Sequence, residues 1–286
     1  MQTLKNKFQL NIAATPIGNL EEISNRFLRV INEMDILLCE DTRVTKKLIN
    51  LLGIQKQFIY QKFDMFSENN NIQPIIQQIK YGKKIMLLSD AGYPTISDPG
   101  YLLVNECINQ KIAINVVNGP CSLIHALVGS GFSSREFIFL GFIGKTKTDR
   151  IKKLNEYRNI SNTFVILESV HRLKDTLQDL YSVFGNQRIC IAKELTKMHE
   201  EFIYSNLEEI QNIEFDLKGE FVLVIDKINK KNNLVDVKDI ELEIIKLLKD
   251  GIRTKDISSY IAEKYNLDKK EWYKKVLYLQ SNNKEK

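Results

Sequence analysis

Short apolar runs alternate along the chain with longer stretches of helical periodicity. The runs predict strands at Phe8–Ala14, Met34–Glu40, Lys84–Ser89, Ile112–Val117, Glu136–Phe142, Thr163–Glu168, Arg188–Lys193 and Glu220–Asp226. Several are nearly continuous in Ile, Leu, Val and Phe, as strands covered on both faces are. Between them lie helical patterns. Thr42–Leu52 carries Leu48, Ile49 and Leu52 on one side and stops at Gly53. Asp98 and Pro99 read as cap and first position of a helix over Tyr101–Ile108. Strands joined by crossover helices mean an α/β fold.

Glycine-rich turns fall in two blocks, before and after residue 118, which predicts two α/β domains with a cleft between them, at 1–118 and 119–230. A polar linker, Lys227–Asn233, leads to a third, small helical domain over 231–286. There Val237–Lys249, Lys255–Tyr265 (with Thr254 as cap) and Lys269–Leu279 read as three helices in helix-turn-helix style.

Composition narrows the class. Apolar residues make up 43% and charged residues 27%, which suits a soluble globular chain. No run approaches the ~20 apolar residues of a membrane span, and the N-terminus lacks a signal-peptide pattern, so a cytoplasmic protein is expected. Cys39, Cys107, Cys121 and Cys190 are isolated from one another; without ligand spacing no metal is expected, and three of them read as core residues. The formal charge of +5 resides entirely in residues 227–286. A basic tail on a neutral body suits a polyanion, although a lysine-rich compositional habit explains it equally well.

Chemistry concentrates at predicted strand ends. Ala13–Leu20 (AATPIGNL) has small residues after a strand but is not a dinucleotide fingerprint. Cys39–Arg43 (CEDTR) sets two acids and an arginine before a helix, and Asp41 can cap it. Ser89–Gly100 (SDAGYPTISDPG) is dense enough in Gly, Pro and Asp to specify one irregular path at the edge where open sheets bind ligands. In Asn118–Phe132, Gly119 and Pro120 turn the chain and Ser122 can cap a helix whose N-terminus suits an anion; His125 reads as a packing residue. ESVHR (Glu168–Arg172), KELTKMHEE (Lys193–Glu201) and KGEFVLVI (Lys218–Ile225) put charges at the mouth of the second sheet.

Taken in order, ATPIGNLEEIS, EDTR, SDAG-P-ISDPGY, GPCS–AL–SGF, FLGF, ES-HRL, AKELTKMHEE and KGEFVLV span residues 10–226 and together resemble the ribosomal RNA small subunit methyltransferase I family of the tetrapyrrole methylase superfamily. The resemblance implies a bilobal fold, a homodimer, and S-adenosylmethionine held between the domains. It also implies methyl transfer to the 2′-oxygen of a cytidine in the decoding region of 16S ribosomal RNA. The cofactor is expected at Pro16, Gly18, Gly92, Tyr93, Pro94, Ile96, Cys121, Ser122, Glu168, Ala192 and Lys193. The hydroxyl proton is expected to go to Asp41, Glu168, Lys193 or Glu194, the ionisable groups at strand ends. RNA contacts are expected from Arg26, Arg29, Arg43, Lys46, Lys47, Lys270 and Lys274; Tyr273 is a candidate for stacking, while Trp272 reads as core. The chain departs from the family at Tyr93, at NGPCSL, at Val170 and most of all over Tyr60–Asn70, where members carry a histidine-rich segment. Two competing readings are methylation of a small tetrapyrrole-like substrate, and RNA or ribosome binding without catalysis on the same scaffold.

Overall fold

The computed structural model describes residues 9–210, 219–227, 237–265 and 267–283. Phe8, Lys218 and most of the linker, residues 228–233, lie outside the described residues. The first sheet uses β1 (Gln9–Ala13), β2 (Ile36–Cys39), β3 (Ile59–Lys62), β4 (Ile85–Leu88) and β5 (Ala113–Val117) in the order β3-β2-β4-β1-β5, every pair parallel. Every residue of β2 and β4 is buried, which explains their unbroken apolar sequences. Helices α1 (Asn25–Ile31), α2 (Thr42–Leu51), α3 (Glu68–Lys80) and α4 (Tyr101–Asn109) connect these strands. Since the strands are parallel, the segments following β1, β2, β4 and β5 all emerge at one edge.

The second sheet is mixed. It uses β6 (Phe137–Gly141), β7 (Thr163–Ser169), β8 (Arg188–Lys193), β9 (Glu201–Asn206) and β10 (Glu220–Ile225) in the order β6-β7-β10-β8-β9; only β6 and β7 are parallel. One face packs on α6 (Lys147–Glu156), α7 (Leu173–Phe184) and the short α8 (Leu207–Ile210). The other receives α5 (Ser122–Ser130): Leu123, Ala126 and Leu127 meet Val165, Cys190 and Val222. Gly129 of α5 is required by contact, because a Cβ there would lie 2.2 Å from the Phe202 ring.

Beyond the linker, α9 (Val237–Lys249), α10 (Thr254–Tyr265) and α11 (Lys269–Asn283) enclose a separate core of Ile240, Ile244, Ile257, Ile261, Trp272 and Val276. Trp272 is therefore core, leaving Tyr273 exposed.

The strands β3 and β9 go unpredicted by the apolar pattern. Both are sheet edges with largely exposed or half-buried residues. Three expected caps also differ, among them Thr254, which is the first residue of α10. Gly100, at φ +128°, precedes α4 instead of Asp98, and the Gly100 and Leu102 N–H groups donate to Glu68 Oε1 at 3.0 and 3.1 Å. Ser122 is the first residue of α5 and Cys121 stands at its cap without a side-chain bond. Asp41 does cap α2, accepting from Arg43 N–H at 2.8 Å.

Candidate active site between the two sheets

A cavity of about 500 Å³ opens where the carboxyl edge of the first sheet meets the mouth of the second. From the first half come Ile17, Glu40 and, from the loop after β4, residues 90–93 and 96–98. Cys121–Leu123 supply the start of α5, and Phe139, Phe142, Leu167–Val170, Leu195 and Gly219–Val222 close the other side.

The loop after β4 has a specified path. Gly92 and Gly100 take left-handed backbone, and so do the non-glycine residues Thr95 (φ +74°) and Ser97 (φ +70°). Strain of this kind persists only where surrounding contacts impose it, and it clusters at ligand sites. Here Thr15 and Gly92 exchange backbone hydrogen bonds of 2.9 and 3.1 Å, and Ser89 Oγ donates to the Gly92 carbonyl at 2.8 Å. The Tyr93 hydroxyl bonds to Asn118 and accepts from Gly119 N–H, tying this loop to the turn after β5.

Three carboxyl groups gather on this side, Glu40, Asp90 and Asp98, and none of them forms a salt bridge among the described residues. Burial, reinforced by Glu40 and Asp90, pushes the Asp98 carboxyl up to about 7. Glu40 is raised by burial and then by Asp90, Asp64 and Asp41; Asp90 is raised by burial against the opposing bond it accepts from Asp41 N–H. A cavity whose acids resist ionisation because they are buried beside one another favours a positively charged ligand.

The second sheet's carboxylate is different. Glu168 is 3% exposed, and its oxygens are occupied: Oε1 accepts from Ser169 N–H (2.7 Å) and Arg172 Nε (2.9 Å), and Oε2 from the Thr176 hydroxyl (2.6 Å). Arg172 also lies over the Phe142 ring, 5.9 Å from its centre.

Of the residues the sequence offers for the cofactor, Gly92, Tyr93, Ile96, Cys121, Ser122 and Glu168 line this cavity. Pro16, Gly18, Pro94, Ala192 and Lys193 are not among its lining. Ala192 is wholly buried in the core beneath α5. Gly18 instead joins the two halves: a Cβ there would lie 2.6 Å from Lys197 Cγ, and the next residue, Asn19, donates its N–H to Thr196 Oγ1 at 3.0 Å. Glu194 is part of the same region's framework, accepting from Lys197 Nζ (2.9 Å) and Glu220 N–H (3.1 Å), and is not in the lining either.

Asp41 lies in a neighbouring depression of about 580 Å³ that shares Glu40 and Asp90 with the cavity. Its hydrogen bonds to the Arg43 side chain and N–H hold its carboxyl down at about 2. Among the expected RNA contacts, Arg29, Arg43, Lys46, Lys47, Lys270 and Lys274 are exposed. Arg26 is exposed too, but its guanidinium is committed to the Val116 carbonyl and the Asn115 side chain. Glu40, Asp90 and Asp98 are not among the site residues the sequence offers, although their motifs stand out; Asp98 reads there as a helix cap within the ligand-edge loop.

Residues 9–211 match the family of tetrapyrrole (corrin/porphyrin) methylases. Solved structures share the fold at low identity: the methyltransferase CobJ (TM-score 0.58, 12% identical, 77% of this chain and 94% of that one) and uroporphyrin-III C-methyl transferase from Thermus thermophilus complexed with S-adenyl homocysteine (TM-score 0.55, 14% identical, 77% and 98%). The class is therefore that of the tetrapyrrole methylase fold. Ribosomal RNA small subunit methyltransferase I of Mycoplasma genitalium is 39% identical over 90% of this chain and 94% of its own length, and that of Mycoplasma pneumoniae 40% over 92% and 96%. The chain belongs to the ribosomal RNA small subunit methyltransferase I family.

Proposed function

We propose that the protein uses S-adenosylmethionine to methylate the 2′-oxygen of a cytidine ribose in 16S ribosomal RNA. The observation that carries this reading is the acid-lined cavity between the sheets, in a chain of this family. It fits the donor chemically: the volume is that of a small-molecule site, carboxyl groups that form no salt bridge among the described residues suit a cation, and Leu123, Phe139, Leu167 and Val222 offer apolar surface. When bound, the donor supplies an electrophilic methyl group on a sulfonium.

The chain's own residues then have three tasks. The loop after β4 and the turn at Cys121–Ser122 position the donor, largely through backbone held by the Thr15–Gly92 and Tyr93–Asn118 bonds. Glu40, Asp90 and Asp98 provide negative charge in a partly desolvated space. The acceptor hydroxyl must lose a proton. Of the four groups the sequence offers for it, Asp41 is held ionised by Arg43, Glu168 has its oxygens engaged, and Lys193 and Glu194 stand outside the cavity lining. We therefore assign proton acceptance to Asp98, poised near neutrality as a general base should be, and give Glu168 the role of a positioning residue. Exposed Arg29, Arg43, Lys46, Lys47, Lys270 and Lys274 are assigned to RNA.

We take residues 1–118 and 119–230 as the two catalytic domains and 231–286 as a basic RNA-binding appendage. A cytoplasmic homodimer is the proposed working form; Ile124 and Val128, one turn apart on α5 and exposed, support pairing. The test is incubation with labelled donor and unmethylated small ribosomal subunits, then mapping of the label. Label on a cytidine 2′-oxygen is expected; label elsewhere, or none despite bound donor, overturns the assignment.

A further inference from the structure

Beside the donor cavity lies a second depression, lined by Glu40, Thr42, Arg43, Lys62, Met65 and Phe66 among others. It shares the Glu40 and Asp90 walls with the cavity, so a molecule seated here adjoins the donor site. Its rim carries an anomaly: Phe66 is 96% exposed and its neighbour Met65 71%.

Phe66 sits at the tip of a tightly bonded turn. Ser67 N–H donates to the Asp64 carboxylate (2.9 Å), Asp64 N–H donates to Ser67 Oγ (3.0 Å), and Glu68 N–H donates to the Asp64 carbonyl (2.9 Å). Glu68 then fastens the turn to the start of α4. The ring is thus presented on a fixed support, at little ordering cost when something stacks on it.

Charge at the rim is directional. Arg43 and Lys62 are 89% and 67% exposed at the side chain, while the carboxylates that steady them, Asp41 and Asp64, are only 28% and 18% exposed. Cations face outward and anions inward. An outward aromatic side chain lining the same depression as two exposed, ion-paired cations, beside a methyl-donor cavity, has the chemistry of a single-stranded nucleotide site: ring for the base, cations for the phosphates.

Building on the function proposed above, we infer that this depression seats the target nucleotide of a single-stranded RNA segment, with Phe66 stacking on a base and Arg43 and Lys62 holding its flanking phosphates. The ribose of that nucleotide is then turned toward the Glu40–Asp90 boundary and the donor. Flat stacking imposes little base preference, so choice of nucleotide comes from elsewhere in the RNA.

The experiment compares wild type with Phe66→Ala, Phe66→Trp and Phe66→Leu, measuring binding of a labelled cytidine-containing single-stranded oligoribonucleotide, KM for unmethylated small subunits, and donor affinity by calorimetry. Phe66→Ala is expected to weaken RNA binding and raise KM roughly tenfold, with donor affinity and Tm unchanged. Trp restores binding and Leu does not. Wild-type behaviour of Phe66→Ala, or equal rescue by Leu, overturns the inference and leaves the proposed function standing. A wild-type protein that binds donor but neither binds nor methylates RNA brings down both.

Discussion

The two walls of the cavity solve the problem of a buried carboxyl group in opposite ways. On the first-sheet side, Glu40, Asp90 and Asp98 face one another without a salt bridge, and their acidities are shifted toward neutrality. On the second-sheet side, Glu168 is more buried yet fully bonded by Ser169, Arg172 and Thr176. A carboxylate whose oxygens are all engaged is a fixture of the structure; one left desolvated and unpaired is free to exchange a proton or meet a cation. The contrast divides labour: one sheet supplies reactive charge, the other a rigid floor.

The sharpest way to break that contrast is to exchange the roles by mutation. Asp98→Asn is expected to lower single-turnover methylation at saturating donor by about 100-fold or more, with Glu168→Gln well above it in rate; the reverse ranking would dismantle the assignment. Stability should show the opposite order. Glu168→Ala leaves the Thr176 hydroxyl and the Arg172 side chain without their partner, at a cost of about 2–4 kcal/mol in urea unfolding. Asp98→Asn, by contrast, removes a strained charge. Because the pKa of Asp98 in the folded chain is raised above its unfolded value, its ionisation opposes folding; that penalty begins above about pH 4, grows to about pH 7 and is then constant. The Tm advantage of Asp98→Asn over wild type must follow that course, and a pH-independent difference would contradict it.

The same group sets a milder effect on the ligand. Donor affinity should rise between pH 6 and pH 8 as Asp98 ionises toward a cation, and calorimetry on Asp98→Asn should give a flatter profile. Smallest of all, Gly18→Ala crowds Lys197 and Thr196 across the junction between the halves. A several-fold loss of donor affinity is expected with each sheet's own stability retained; unchanged affinity would mean the junction has slack.

How far the sequence carries depends on range. Buried strands such as Ile85–Leu88 announce themselves through continuous apolar residues, whereas Ile59–Lys62 and Glu201–Asn206, half-solvated at the sheet edges, have no such signature. The cavity loops were legible as motifs because glycine and proline mark irregular backbone locally. The role of Asp98 was not. Its place before a helix suggests a cap, and only the fold brings Glu68, some thirty residues earlier, to take the helix N–H groups and leave Asp98 facing the cleft. Likewise Glu168 reads as a reactive acid until Thr176 and Arg172 are seen to engage it.

The Glu68 bonds have one further consequence. This single carboxylate belongs to the turn that presents Phe66 and anchors the helix that follows the donor loop. Any free energy by which a seated nucleotide steadies that turn is then felt at the donor side, and thermodynamic reciprocity requires the donor to return the same factor to RNA. Glu68→Gln, which weakens the tie without emptying the space, should bring the two affinities measured together closer to the two measured apart.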